Sequence, residues 1–261
     1  MSTDPDATPE VRSATIELAV AGRKLQLTIS ASTGPSRPVE LLPLVRSLAD
    51  AFGAITVETI EEQGRKISCK HKCAACCRQL IPLSEIEARG IAELVEAMPE
   101  PRRSEVRERF AAARRQLEGA DLLDRLVALQ PMPSGAEFLP LAREYFRLWI
   151  DCPFLEDESC SIYPERPVAC REYMVVTPAE NCRELDPKTV HAVSLKAEVN
   201  TAMSQLMAGD PSAPRKYIPL ITAPDWVAEN PEKFSERSGI ELLQEFMGYL
   251  SKQDVSGSGP A

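Results

Sequence analysis

The most informative feature of this 261-residue chain is its set of eight cysteines, which form a dense early block and a more widely spaced late block. The early block is Cys69, Cys73, Cys76 and Cys77, and the late block is Cys152, Cys160, Cys170 and Cys182. Thiolates are the soft ligands that hold zinc ions and iron–sulfur clusters. The sequence therefore predicts a thiolate-rich metal site to which all eight cysteines contribute.

The spacing leaves the metal and the number of sites open. Two four-thiolate sites use every cysteine, and one such site leaves four spare. Only Cys73 and Cys76 have the C-x2-C spacing that is typical of structural zinc. Adjacent side chains diverge, so Cys76 and Cys77 are expected to serve two metals, a cluster, or one metal with one helper. Together with Cys152-Pro153, which is similar to the Cys-Pro end of ferredoxin motifs, this favours an iron–sulfur cluster slightly over zinc.

Two other chemistries of cysteine fit the sequence less well. The spacing Cys69-x3-Cys73-x2-Cys76 matches that of radical SAM enzymes, but Ala75 stands where those enzymes usually carry an aromatic residue. Helical patterns follow the early block, whereas those enzymes continue as repeated βα units. A thiol redox protein is also disfavoured, because the C-x2-C pair is not set in the βα context that depresses the pKa of a cysteine.

Composition limits which binding partners and which cellular compartment are expected. The net charge of −9 argues against nucleic acid as a partner, since phosphate binding needs a basic face. The acidic N-terminus does not resemble a signal peptide, and no apolar run is long enough to span a membrane. We therefore expect a cytoplasmic protein without a membrane partner, whose thiols stay reduced and free to bind metal.

The chain is predicted to be mainly α (α+β), with an N-terminal β-hairpin and a cysteine-rich loop layer organised by metal. We expect a disordered N-terminus over residues 1–13, a hairpin over 14–35 that turns at Ala21-Gly22, and a flexible tail over 253–261. A single helical domain over 36–252 would contain the cysteine region, 69–182.

Apolar periodicity and punctuation by Gly and Pro predict the helices. Ser84 is expected to cap one of them, with Glu87 completing a capping box. The region from Cys152 to Pro187 lacks long periodicity and is expected to depend on metal for its order, and the segment from Pro211 to Pro231 is expected to be irregular. The predicted helices run from Leu41 to near Gly64, after Ser84 to Met98, and over 102–117, 122–129, 139–149, 195–207 and 239–250.

The cysteine motifs resemble those of the YkgJ family of cysteine-cluster proteins, over residues 69 to 182. That family is described as a zinc- or iron-chelating domain, and it includes a flagellin lysine N-methylase. This chain has x3 at the first spacing, where the family often has x2. The segments that carry the resemblance are Cys73-Ala-Ala-Cys76-Cys77, Cys152-Pro-Phe-Leu, Cys160-Ser-Ile-Tyr163-Pro-Glu-Arg166-Pro167-Val-Ala-Cys170-Arg171-Glu172-Tyr173 and Cys182.

Arg166 and Arg171 are candidates for a supporting role around the metal. Four thiolates on a zinc ion, or around a cluster, leave a net negative charge, which guanidinium groups that donate to sulfur would stabilise. Pro167 is expected to hold Arg166 extended. Tyr163 and Tyr173 are interpreted as packing residues, and His71 as a solvated loop residue with a lesser claim to ligation.

The functional prediction is a metal-chelating protein that binds iron, as an iron–sulfur cluster, or zinc. Catalytic residues are unknown, because the sequence has none of the nucleotide-loop, H-E-x-x-H or G-x-S-x-G motifs. The resemblance implies one alternative, a cluster-dependent protein-modifying enzyme similar to the lysine N-methylase. A second alternative is a zinc-stabilised interaction module, for which another protein is the expected partner.

Overall fold

A computed structural model describes residues 10–20, 22–70, 72–128, 135–184, 186–195, 197–208, 216–232 and 236–251, with side chains from residue 138 onward in the range that begins at 135. The predicted flexible tail, 253–261, lies outside these ranges, as do residues 1–9 of the predicted disordered N-terminus. Within the described part of the chain, no helix combines the length and apolar character that crossing a membrane requires.

The N-terminal hairpin is confirmed. Strands β1 (Val11–Val20) and β2 (Arg23–Ser32) pair antiparallel with Val20 opposite Arg23, and Gly22 supplies the left-handed turn conformation with φ of +77°. The first strand begins at Val11, so residues 11–13, which we expected to be disordered, belong to the hairpin. They pair with the far end of β2, a long-range contact that their own polar sequence does not reveal.

The rest of the described chain is mainly helical, as predicted, with two further strand pairs of two residues each. Strand β3 (Pro82–Leu83) pairs with β6 (Ile218–Pro219), and β4 (Leu155–Glu156) pairs with β5 (Ser159–Cys160). The helices are α1 (Leu42–Glu62), α2 (Glu85–Ala97), α3 (Arg102–Gly119), α4 (Leu123–Val127), α5 (Gly135–Arg147), α6 (Val168–Glu172), α7 (Val199–Ala208), α8 (Ala223–Glu229) and α9 (Gly239–Ser251).

Apart from a core among α3, α4 and α5, two apolar cores organise these elements. One core lies between the hairpin, α1, α7 and α9, and it buries the predicted stripe of α1, including Val45, Leu48 and Phe52. The other joins α2, α3 and α8 and includes Phe154 and Ile162, which flank the β4–β5 pair. The second core therefore anchors the hairpin that carries Cys160.

Helix α8 corrects the prediction that the Pro-rich segment from Pro211 to Pro231 is irregular. It starts at Ala223 with Pro224 in its first turn, where proline costs no hydrogen bond. Its seven residues are too few to show a helical period, and it is stabilised by packing against α2 rather than by its own sequence.

The predicted capping box at the start of α2 is confirmed, and it does more than cap one helix. The Ser84 hydroxyl accepts a hydrogen bond from the Glu87 N–H at 3.3 Å, and the Ser84 N–H donates to the Glu87 carboxylate at 3.3 Å. The other carboxylate oxygen of Glu87 accepts a hydrogen bond from the Val168 N–H, at the start of α6, at 2.6 Å. Glu87 thus ties α2 to the helix that carries Cys170.

Replacing Glu87 should destabilise the fold. Glu87→Ala leaves buried N–H groups at the starts of two helices without an acceptor, and we expect it to lower the free energy of unfolding by about 2–4 kcal/mol in chemical denaturation. Glu61→Ala, which changes an exposed residue near the end of α1, is the control and should lie close to the wild type. If Glu87→Ala is as stable as the wild type, Glu87 does not stabilise the two helix starts.

The same residue gives a prediction about pH, because burial raises the pKa of Glu87 above its usual value. A carboxyl group with a raised pKa in the folded state stabilises the fold at low pH and loses that contribution as pH rises towards the folded pKa. Stability should therefore fall more steeply above about pH 4.3 in the wild type than in Glu87→Gln. Chemical denaturation from pH 5 to pH 7 measures the free energy of unfolding of both proteins. If it changes with pH by the same slope in the wild type and in Glu87→Gln, this role of Glu87 is wrong.

Candidate metal centre

The early cysteine block occupies the connection between α1 and β3. Cys73 closes a turn by donating its N–H to the Lys70 carbonyl at 3.0 Å, and Lys72 takes a left-handed conformation with φ of +62°. The last two cysteines of the block, Cys76 and Cys77, lie on a short 3₁₀ helix, Ala75–Arg78. In this tight turn the adjacent thiols of Cys76 and Cys77 form a hydrogen bond with each other.

The late block lies on short elements after α5. Cys152 follows that helix, and Cys160 ends β5 in a hairpin whose two turn residues, Asp157 and Glu158, both have positive φ. Cys170 lies in α6, and Cys182 lies in a 3₁₀ helix, Ala179–Arg183. The predicted loop layer thus contains several short hydrogen-bonded elements.

Helix α6 is fixed on several sides. Its first N–H group, that of Val168, donates to Glu87 of α2, and the carboxylate of its last residue, Glu172, accepts a hydrogen bond from the Val199 N–H of α7 at 2.6 Å. The Arg171 side chain pairs with Asp50 of α1 at 2.5 Å. Cys170 is therefore held by contacts to three long helices of the fold.

The helices between the two cysteine blocks bring the late block back beside the early block. The Cys152 N–H donates to the Cys77 carbonyl at 2.8 Å. Arg78 pairs with Asp151 at 2.7 Å and with Glu158 at 2.9 Å, and its guanidinium lies 5.1 Å from the ring centroid of Trp149. These contacts join the early block directly to the start and the hairpin of the late block.

Cysteines from both blocks line one open cavity of about 270 Å³. Cys69 and Cys182 are not among its lining residues; Cys69 is exposed, and Cys182 is buried beside Ala75 and Val175. Apolar side chains form much of the remaining wall, namely Leu80, Ile81, Phe154, Ile162 and Leu220. The cysteines of the wall are Cys73, Cys76, Cys77, Cys152, Cys160 and Cys170.

As they stand, no three His, Cys, Asp or Glu side chains of the described ranges are arranged to hold one metal ion. The cysteines share a cavity but do not converge on a single point. Ligation therefore requires rotation of the thiol side chains towards the metal, which is the usual coupling of metal binding to local order in thiolate sites.

Burial keeps most of these thiols protonated. It raises the pKa of Cys152 to about 12 and that of Cys182 to about 11, and it raises the pKa of Cys170 well above its usual value. The exception is the adjacent pair, where a hydrogen bond between the thiols lowers the pKa of Cys76 to about 7 and raises that of Cys77. A cluster of thiolates in this setting needs a cation to balance its charge.

Arg166 is positioned to contribute to that balance. It lines the cavity with its backbone extended (ψ of 143°), as the following Pro167 predicts, and its guanidinium lies 4.4 Å from the ring centroid of Tyr163. Its Nε–H is buried and has no acceptor in the described part of the protein. Its positive charge also counteracts part of the rise in the pKa of Cys160 that burial causes.

The other predicted supporting residue, Arg171, directs its hydrogen bonds to oxygen atoms. Besides Asp50, its acceptors are the main-chain carbonyls of Tyr163, Pro164 and Arg166. The prediction that Arg171 donates hydrogen bonds to sulfur is therefore wrong. Its hydrogen bonds to main-chain carbonyls instead hold the loop before Cys170. The positive charge of Arg171 still acts on the thiols. It slightly lowers the pKa of Cys160, against the larger rise that burial causes.

The structure separates the two tyrosines that we interpreted as packing residues. Tyr173 lines the cavity, whereas Tyr163 is 57% exposed and stacks against Arg166, so the packing interpretation is wrong for Tyr163. His71 lies outside the described residues. Sequence reasoning missed Arg78, whose signal is its place directly after a cysteine, the same place that Arg171 occupies after Cys170.

Comparison with known proteins supports the predicted resemblance. Residues 68–189 match the family model CxxCxxCC, described as "Putative zinc- or iron-chelating domain". Neither the curated proteins nor the solved structures give a match. The match spans both cysteine blocks and every cysteine of the chain. Residues 68–189 are therefore similar to this family of cysteine-cluster domains, which is the resemblance that the motifs predicted.

Proposed function

We propose that this protein chelates iron, as an iron–sulfur cluster, or zinc, through thiolates from both cysteine blocks. The observation that carries the proposal is the cavity, whose wall contains three cysteines from each block. The proposed ligands are all eight cysteines, with Arg166 supporting them.

The chemistry of the donor set fits a thiophilic metal. The cavity wall offers six sulfur atoms, and burial makes these thiols costly to ionise unless a cation is bound. The buried Nε–H of Arg166 has no oxygen acceptor within the described residues, and a metal-bound thiolate would supply an acceptor beside it. When bound, the metal supplies the positive charge that holds these thiolates ionised.

The cavity favours a cluster over a single zinc ion. One tetrahedral ion takes four thiolates, whereas more sulfur atoms than that surround about 270 Å³ of space. A cluster is a larger inorganic body that is also held by cysteine thiolates. Two separate zinc ions would satisfy the same count of ligands, and metal analysis distinguishes the cases.

Anaerobic purification of the full chain, followed by metal and acid-labile sulfide analysis, tests the proposal. Iron with sulfide and broad visible absorbance would identify a cluster, and colourless protein with stoichiometric zinc would identify a zinc site. We expect Cys170→Ser to lose the metal, and Ser204→Ala, a buried change in α7, to keep it. Wild-type protein that holds neither metal, even after reconstitution, would contradict the proposal.

Removing the metal should lower the melting temperature. The loop layer has little core of its own, so metal binding adds to its stability. At a free metal concentration a hundred times Kd, the gain is about 2.7 kcal/mol. For a chain of this size, that gain corresponds to roughly 5–10 °C. Calorimetry of apo and loaded protein measures the difference, and identical melting would rule out this structural role.

Arg166→Gln should weaken metal binding by about 10- to 100-fold, because it removes a positive charge and a donor beside the thiolates. Competition with a chromophoric chelator measures this change in Kd. Arg115→Gln, which breaks an exposed ion pair with Glu108 on α3, is the matched control. Equal affinities for the two variants would exclude a role for Arg166 at the metal.

A further inference from the structure

The outer edge of the N-terminal hairpin has no neighbouring strand. Strands β1 and β2 form a sheet of two strands, and helix α9 packs against β2. Among the residues that the structure describes, none pairs as a strand with the other edge of β1, which is ten residues long. An unpaired edge of this kind presents a row of N–H and C=O groups that another strand can bind.

The register of the hairpin identifies which groups of β1 are unpaired. The Thr33 N–H donates to the Glu10 carbonyl at 2.8 Å, directly beyond the pair of Val11 and Ser32. Antiparallel ladders alternate between pairs that are hydrogen-bonded and pairs that are not. The even-numbered residues of β1 therefore bond to β2, and the odd-numbered ones direct their N–H and C=O groups away from it. These outward-directed residues, all of them exposed, are Val11, Ser13, Thr15, Glu17 and Ala19.

Strand β1 lacks the features that usually protect an edge strand. Its sequence, Val11–Val20, contains no proline and no lysine, and its pairing with β2 runs over the whole strand without a bulge. Hydroxyl pairs on the exposed face hold the two strands in register, Ser13 with Ser30 at 2.7 Å and Thr15 with Thr28 at 3.2 Å. The outward-directed groups therefore form one regular, uninterrupted row.

We infer that β1 pairs antiparallel with β1 of a second copy of this chain, about a two-fold axis at Thr15. In this register Thr15 lies opposite its own equivalent, and every outward-directed residue of one copy meets an outward-directed residue of the other. The remaining pairs are Val11 with Ala19 and Ser13 with Glu17. The inference goes beyond the proposed metal binding and does not depend on it.

The charges of β1 suit a partner that is a copy of the same strand. Its one cation, Arg12, and its one anion, Glu17, lie on opposite faces of the sheet, because successive side chains of a strand alternate between faces. In the proposed register Glu17 lies opposite Ser13, whose hydroxyl is a hydrogen-bond donor, and Arg12 lies opposite Leu18. No like charges of β1 therefore face each other across the new pair.

The apolar face of the hairpin gains from the same pairing. Ile16 and Leu18 pack against the core between the hairpin, α1, α7 and α9, but each remains partly exposed, and Ala14 on the same face is exposed. In the paired strands Ala14 lies opposite Ile16 of the other copy. Pairing therefore continues the apolar face across the axis and removes part of it from water.

The other edge of the hairpin is already occupied in part. Pro35, just beyond β2, pairs with Ser238, and the Ser36 N–H donates to the Arg237 carbonyl at 3.0 Å. Association through β1 alone uses the same edge of both copies, so it closes as a two-fold dimer instead of growing into a filament.

Sedimentation velocity of the full chain over a wide range of protein concentration, with any affinity tag at the C-terminus, tests the inference. Wild-type protein should pass from monomer to dimer and form nothing larger. Hydrogen exchange should slow at the outward-directed amides as the dimer forms, while the even-numbered amides of β1, already bonded to β2, change little.

Wild-type protein that stays monomeric at every concentration, or that forms open-ended oligomers, would overturn the inference. Slow exchange of the outward-directed amides in a monomer would show that another part of the same chain covers this edge, and it would overturn the inference as well.

Thr15→Pro should weaken dimerisation by about tenfold or more, because it removes from each copy the N–H group at the axis. That N–H is not bonded to β2, so the hairpin can keep its own ladder, which circular dichroism checks. Thr15→Val keeps the N–H group and suits a strand, so it is the matched control that should dimerise as the wild type does. Unchanged dimerisation of Thr15→Pro would place the interface elsewhere and overturn the inference.

A charge exchange at the axis tests the register and does not depend on the proline variant. Thr15→Lys and Thr15→Glu each place two like charges directly opposite each other, so either variant alone should dimerise more weakly than the wild type. A mixture of the two should form heterodimers, because opposite charges then meet at the axis. Wild-type dimerisation of either variant alone, or a mixture that forms no heterodimer, would overturn the pairing about Thr15.

Discussion

The central constraint on this structure is the cost of gathering sulfur atoms in one place. Thiols from two distant stretches of chain surround a common cavity, and several of them are too well buried to ionise alone. A bound cation reverses that balance, because it converts the mutual repulsion of thiolates into ligation. The helices therefore have a simple architectural task, which is to carry the chain out from the early block and back to the late one.

The fold performs this task through contacts that are few and specific. Glu87 joins α2 to α6, Arg171 joins α6 to α1, and Arg78 joins the early block to the hairpin of the late block. Each of these three residues is buried. The rigid helices thus determine where the cysteines lie, while the thiol side chains keep the rotation that ligation requires.

Local signals in the sequence were sufficient for much of the fold. The capping box of Ser84 and Glu87 and the apolar stripe of α1 depend on neighbours within a few turns, and both are confirmed. The start of β1 at Val11 and the existence of α8 depend on partners far along the chain, and both were missed. The second bond of Glu87, to Val168, was invisible for the same reason.

The same distinction between local and long-range information applies to the candidate site. Residue type alone identified the cysteines, since no other side chain supplies a thiolate. The difference between Arg166 and Arg171 could not be read from their positions, because it depends on the oxygen atoms that surround Arg171 in three dimensions. The separation of Cys182 from the cavity likewise depends on the small cluster around Val175, which forms only when the chain has folded.

Residue-resolved alkylation of the metal-loaded protein, followed by mass spectrometry, tests most directly whether both blocks share in binding metal. The account predicts that cysteines of the early and late blocks are both protected in the loaded protein. Both should become reactive when a chelator removes the metal. Protection confined to one block, or alkylation unchanged by the metal, would contradict it.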